Sequence, residues 1–245
     1  MTKETLIHSA NEMKHEAHGT QQPRHINEIG EGASTAQRSD SLVQPINQRF
    51  PNKDEQGKVL LNIARAAIAE VLRAAPYAVS DIREHMSWLS RPGATFVTLT
   101  QRGELRGCIG SLQACDPLID DVSNNAQSAA FRDPRFMPLA IDELDITDIE
   151  VSLLSELQAL SFSGEADALA QLRPDVDGIV FEYGAYRSTF LPQVWENLSQ
   201  PQQFLAQLKR KARLPENFWA EDVKLSRYTV SKWRETDFAK ECAHG

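Results

Sequence analysis

The sequence lacks any long apolar run: none of its 245 residues lies in a stretch approaching the 18 consecutive apolar side chains typical of a membrane-spanning helix. The first residues also lack the short apolar region of a secretory signal, so we expect a cytoplasmic protein that does not act at a membrane. Cysteine is scarce, with three in the chain. An odd number without a repeating spacing does not fit a secreted disulfide framework.

Several ligand-binding patterns are missing as well. The sequence has neither CxxC nor HxxxH, so no structural zinc site is predicted, and it has neither GxGxxG nor GxxxxGK[ST], which argues against Rossmann and P-loop enzymes. The net charge is −8, which disfavours a nucleic-acid partner. The one basic cluster, at 209–211, falls near the end of a predicted helix, where cations interact favourably with the helix dipole.

The chain divides into an extension, a domain and a tail. Residues 1–50 are polar and have no sustained hydrophobic period, which predicts a disordered extension. Asn52 and Glu55 have the spacing of a capping box and open a helix, so we expect the domain over 51–237 and a short tail over 238–245.

Hairpins and helices alternate along the domain. The stretch 94–100 is rich in β-branched and aromatic residues, and together with 105–110 it predicts a hairpin. Further strands are predicted by period-two alternation or turn signals, at 149–153, 178–183, 187–191 and 225–233. Helices are predicted to start at Asp116-Pro117, with Asp116 as N-cap, and at Pro201. This pattern indicates an α+β fold with antiparallel sheet.

The most informative stretch is LRGCIG at 105–110. Alternation on a strand would place Arg106 and Cys108 on one face and Leu105 and Ile109 on the other. A guanidinium beside the thiol would lower its pKa, whereas a cysteine that only fills the core would have a raised pKa. Two glycines, Gly107 and Gly110, mark a bulge or a close approach of another backbone or a ligand.

A second charged motif is the loop FRDPRF at 131–136. Two aromatic residues flank its charges, and Pro134 together with Pro138 prevents helix from continuing. Such a loop can carry function. It can equally be a rigid connector in which Asp133 pairs with Arg132 or with Arg135.

Four motifs in order resemble the AMMECR1 domain family, which in bacteria appears as protein A of the AmmeMemoRadiSam system. The resemblance runs from about residue 54 to about 235. The motifs are LRGCIG, FRDPRF, the VSLLS at 151–155 and the LPQVW at 191–195. Where that family usually has a proline and a glycine, this chain has Met137 and Arg213.

The resemblance implies two subdomains of unequal size, the larger assembled from both ends of the domain, each built on an antiparallel sheet. It also implies that the LRGCIG strand faces a cleft between them. The candidate cleft or binding residues are Leu105, Gly107, Ile109, Gly110, Asp133 and Arg135.

The sequence is compatible with two functions. One is an accessory or binding module that acts with a Memo-like protein and a radical-SAM enzyme and holds a protein segment or a modified substrate in its cleft. The alternative is an enzyme with Cys108 as nucleophile or thiolate ligand and Arg106 as the group that stabilises an anion. A nucleophilic cysteine usually needs a base, and His85 is the one histidine firmly inside the domain.

Overall fold

A computed structural model describes residues 51–74 and 87–239. The predicted extension, 1–50, lies outside these ranges, as do His85, Cys242 and residues 240–245 of the predicted tail. The described residues form helices and two four-stranded antiparallel sheets, which confirms the α+β prediction.

The first sheet carries the LRGCIG strand. Its strands, in chain order, are β1 (Thr95–Gln101), β2 (Glu104–Gly110), β3 (Thr147–Leu154) and β8 (Val230–Arg234). Their spatial order is β2-β1-β3-β8, which leaves β2 at one edge. The helices of this subdomain are α1 (Lys53–Val71), α2 (Leu118–Phe131) and the short α5 (Glu235–Ala239). Apolar side chains of α1 and α2 pack on one sheet face, against Val97, Leu99, Ile149 and Val151.

The local signals of this subdomain act as predicted, with one shift. The Asn52 side chain accepts the Glu55 N–H at 2.9 Å while the Glu55 carboxylate accepts the Asn52 N–H, completing the capping box of α1. The prediction of Asp116 as N-cap is wrong, because Pro117 occupies the N-cap position of α2. The Asp116 carbonyl instead accepts the Gly93 N–H at 3.1 Å, which fixes the chain just before the helix.

The second sheet is built from β4 (Gln158–Ala159), β5 (Gly178–Tyr183), β6 (Tyr186–Phe190) and β7 (Lys224–Tyr228), in the spatial order β4-β7-β5-β6. Its helices are α3 (Glu165–Gln171) and α4 (Pro201–Lys211). Trp195 is fully buried, stacks on Phe204 with 3.8 Å between ring centroids, and donates its Nε1–H to the Asp177 carbonyl at 2.7 Å. It therefore anchors the core of the second subdomain.

Two chain segments join the sheets, one from β3 to β4 and one from β7 to β8. The prediction of a single strand over 225–233 is wrong, since the run is divided at Thr229 between the two sheets. Ser155 donates its N–H to the Thr229 carbonyl at 2.9 Å, and Thr229 donates its N–H to the Ser155 hydroxyl at 3.0 Å. The first subdomain thus comes from both ends of the domain, and residues 155–229 form an insertion within it.

Candidate functional site

The LRGCIG strand contains a β-bulge at Arg106. Across the hairpin Leu99 pairs with Gly107 and Thr100 pairs with Leu105, so Arg106 has no partner on β1. The expected alternation is therefore wrong at this point. Because Thr98 and Thr100 lie on one face of β1, their partners Cys108 and Leu105 share that face, whereas the sequence had placed Leu105 with Ile109.

Cys108 lies on the sheet face opposite α1 and α2, and it is 7% exposed. The Thr98 hydroxyl donates to its Sγ at 3.3 Å. Burial raises the pKa of the Cys108 thiol, and the hydrogen bond from Thr98 and the charge of Arg135 offset only part of that increase. The thiol is therefore in its neutral form at neutral pH.

The Asp133 and Arg135 side chains close the outer edge of β2 at Cys108. Asp133 Oδ2 accepts the Cys108 N–H at 2.9 Å, and Arg135 Nη2 donates to the Cys108 carbonyl at 3.2 Å. Arg135 also donates to both carboxylate oxygens of Asp133, at 2.9 and 2.6 Å. Burial alone would raise the pKa of Asp133, but these hydrogen bonds hold it below its usual value. Asp133 therefore pairs with Arg135 and not with Arg132.

Arg106 is engaged by an acidic residue that the sequence analysis did not single out. Its Nε and Nη2 donate to the two carboxylate oxygens of Glu143, each at 2.9 Å. With further hydrogen bonds from the Ala140 N–H and the Gln101 amide, this pairing lowers the pKa of Glu143 to about 2. The charges that act on the Cys108 thiol are those of Arg135, Asp133 and Glu150.

The Phe136 ring joins the two arginines. Its centroid lies 5.5 Å from Arg135 Cζ and 6.0 Å from Arg106 Cζ, within the range of cation–π attraction. The loop FRDPRF thus supplies the Asp133 carboxylate, the Arg135 guanidinium and the Phe136 ring, which surround the middle of β2.

Gly107 is required by the close approach of α2. A Cβ at this position would collide with the backbone carbonyl oxygen of Ala129. Gly110 is in a similar position, because a Cβ there would meet the Phe96 ring. Ile109 packs partly against the core of the first subdomain. These three residues therefore fix how β2 packs, and the glycine prediction of a close approach is confirmed.

Three further residues belong to the site: Thr98, Glu143 and Glu150. Thr98 pairs with Cys108 on β2 and with Glu150 on β3, so Thr98, Cys108 and Glu150 lie on one face of the sheet. Period-two alternation on β1 could have identified Thr98. Nothing local identifies Glu143, which is 37 residues from Arg106 in sequence.

No helix in the described ranges is long and apolar enough to cross a membrane. Within the same ranges, no group of three or more His, Cys, Asp or Glu side chains is arranged to hold a metal ion.

Residues 61–233 match the AMMECR1 family. A protein of Methanothermobacter thermautotrophicus is 36% identical over 196 residues, which cover 76% of this chain and 97% of that protein. A protein of Methanocaldococcus jannaschii is 33% identical over 189 residues, covering 75% and 92% of the two chains. The crystal structure of an uncharacterized protein from Pyrococcus horikoshii is similar, with a TM-score of 0.59, 30% identity, and coverage of 74% of this chain and 92% of that one.

Proposed function

The chain belongs to the AMMECR1 domain family, and on that premise we propose that it is a binding module, with the face and edge of β2 as part of its binding surface. Its partners in this proposal are a Memo-like protein and a radical-SAM enzyme, as in the bacterial AmmeMemoRadiSam system. A cleft between the two subdomains, lined by β2, would hold a protein segment or a modified substrate.

The state of the Cys108 thiol carries this proposal. The thiol is buried, accepts a hydrogen bond from Thr98 and has a raised pKa, so little thiolate forms at neutral pH. A neutral, hydrogen-bonded thiol suits packing and recognition better than nucleophilic attack.

The hydrogen bonds around β2 support the same reading. Asp133 and Arg135 hold the Cys108 backbone, and Glu143 holds the Arg106 side chain, so both are fixed before any ligand arrives. A surface that is already ordered loses less conformational entropy on binding. The proposal therefore predicts binding that depends on the shape of β2 and not on the reactivity of the thiol.

A direct binding measurement tests the proposal. The purified Memo-like and radical-SAM proteins of the same organism are titrated against the full chain, and we expect one of them to bind. Cys108→Ser should change the affinity little, because the hydroxyl can still accept from Thr98. Failure of both proteins to bind would contradict the proposed partners. Loss of binding in Cys108→Ser would contradict the claim that binding does not depend on the reactivity of the thiol.

One observation favours the alternative enzyme. Arg106 Nη1 is buried and finds no hydrogen-bond partner among the described residues, so it could donate to an anionic substrate. In this second proposal Cys108 acts as nucleophile or thiolate ligand, and substrate binding would have to lower its pKa. Product formation lost in Cys108→Ser, at unchanged partner affinity, would favour the enzyme.

A further inference from the structure

The segment 137–146 exposes an unusual amount of apolar side chain beside the candidate site. Met137 is 80% exposed, Ile141 is 59% exposed and Ile146 is 53% exposed. They are three of the seven large apolar side chains that are exposed in the described ranges, and they fall within ten consecutive residues. Single exposed apolar residues are ordinary, but clustered ones mark interaction surfaces.

This segment is held firmly in place. Leu139 and Leu144 are buried in the core of the first subdomain, and the Leu139 N–H donates to the Ala130 carbonyl at 2.8 Å. Arg65 Nη1 donates to the Leu144 carbonyl at 2.7 Å. With Glu143 tied to Arg106, the exposed side chains project from a fixed backbone and are not the tip of a loose loop.

The segment also carries negative charge that no ion pair within the described ranges neutralises. Asp142 and Asp145 are both exposed and lie between Ile141 and Ile146 in sequence. Glu143, between them, is already paired with Arg106. A complementary partner would therefore present apolar side chains together with lysine or arginine.

We propose that the 137–146 segment is a docking surface for a basic amphipathic segment of a partner protein. The proposal rests on the proposed function and deepens it, because Glu143 links this surface directly to Arg106 on β2. A partner seated here would contact the apolar side chains of Met137, Ile141 and Ile146 and pair its cations with Asp142 and Asp145.

Two surface variants test this docking surface against the purified Memo-like and radical-SAM proteins. The first, Ile141→Ser with Ile146→Ser, removes apolar contact area, and the second, Asp142→Lys with Asp145→Lys, reverses the charge. Each should weaken the affinity of the bound partner by about tenfold or more. The matched control, Val176→Ser with Asp222→Lys on the second subdomain, should leave the affinity unchanged. All these side chains are exposed, so folding should be preserved.

The outcomes separate this inference from the proposed function. If the wild-type chain binds a partner and both surface variants bind it as tightly, the docking surface is overturned while the proposed function stands. If neither protein binds, the proposed function fails, and the surface is tested alone with a Leu/Lys amphipathic peptide and a Leu/Glu counterpart. Amide shifts confined to 137–146 with the basic peptide would support the surface; equal binding of both peptides, shifts elsewhere or self-association of the chain would overturn it.

Discussion

Asp133 serves as the hydrogen-bonding neighbour that the edge strand β2 lacks at Cys108. Its carboxylate accepts the Cys108 N–H at 2.9 Å, while Arg135, paired with the same carboxylate, donates to the Cys108 carbonyl at 3.2 Å. One ion pair thus satisfies both backbone groups of one residue at a sheet edge, which removes a place where another strand could add.

We expect Asp133→Ala to lower the free energy of unfolding by about 2–4 kcal/mol, because it leaves the buried Cys108 N–H unsatisfied and Arg135 without its carboxylate. Urea denaturation measures the loss. Arg132→Ala, at the exposed neighbouring position, is the control and should change stability little. If Asp133→Ala loses no more stability than the control, the contacts of Asp133 with Cys108 and Arg135 do not stabilise the fold.

Cys108 should react slowly with iodoacetamide at neutral pH, because burial raises the pKa of its thiol and restricts access to it. The exposed Cys115 is the internal comparison and should be labelled much faster. Labelling is followed against pH by peptide mass spectrometry, in the wild type and in Arg106→Gln. Fast labelling of native Cys108 that is lost in Arg106→Gln would instead favour the alternative function, an enzyme that uses the Cys108 thiolate.

Glu143 should contribute a pH dependence of stability in acid. Its folded pKa, lowered to about 2 mainly by Arg106, lies below the usual value near 4.5, so its contribution is complete above about pH 5 and is lost as the pH falls toward 2. Glu143→Gln should therefore be less stable than the wild type at pH 6, with a difference that shrinks at low pH. Urea denaturation at several pH values checks this. A difference that stays constant with pH would contradict the assignment.

Arg213→Gly should stabilise the protein by about 1 kcal/mol. Arg213 follows the C-terminal end of α4 with a φ of 64°, a left-handed conformation that costs any residue with a Cβ. The Leu214 N–H donates to the Lys209 carbonyl at 3.0 Å, as in a Schellman cap, and glycine keeps that bond. Thermal and urea denaturation measure the gain. Arg210→Gly, inside the last turn of the helix, should instead destabilise it by about 1 kcal/mol.

Local sequence was sufficient where neighbouring residues decide the structure. The capping box at Asn52, the hairpin that turns through Arg102 and Gly103, and the proline start of α4 depend on contacts within a few residues, so their signals survive in the sequence. Ordered motifs were sufficient for the family. The motif LRGCIG also located the candidate site, although it did not show which groups surround the thiol.

Tertiary structure decided the chemistry of the site. Glu143 is the partner of Arg106, and the charged side chains that act on the Cys108 thiol are Arg135, Asp133 and Glu150. Packing brings all of these groups together across large separations in sequence. The bulge at Arg106 and the division of 225–233 at Thr229 depend on which strands pair, and period-two alternation cannot encode that choice. Burial in the assembled fold raises the pKa of the Cys108 thiol. The motif LRGCIG alone does not specify that burial, so it was compatible with either a reactive or a neutral thiol.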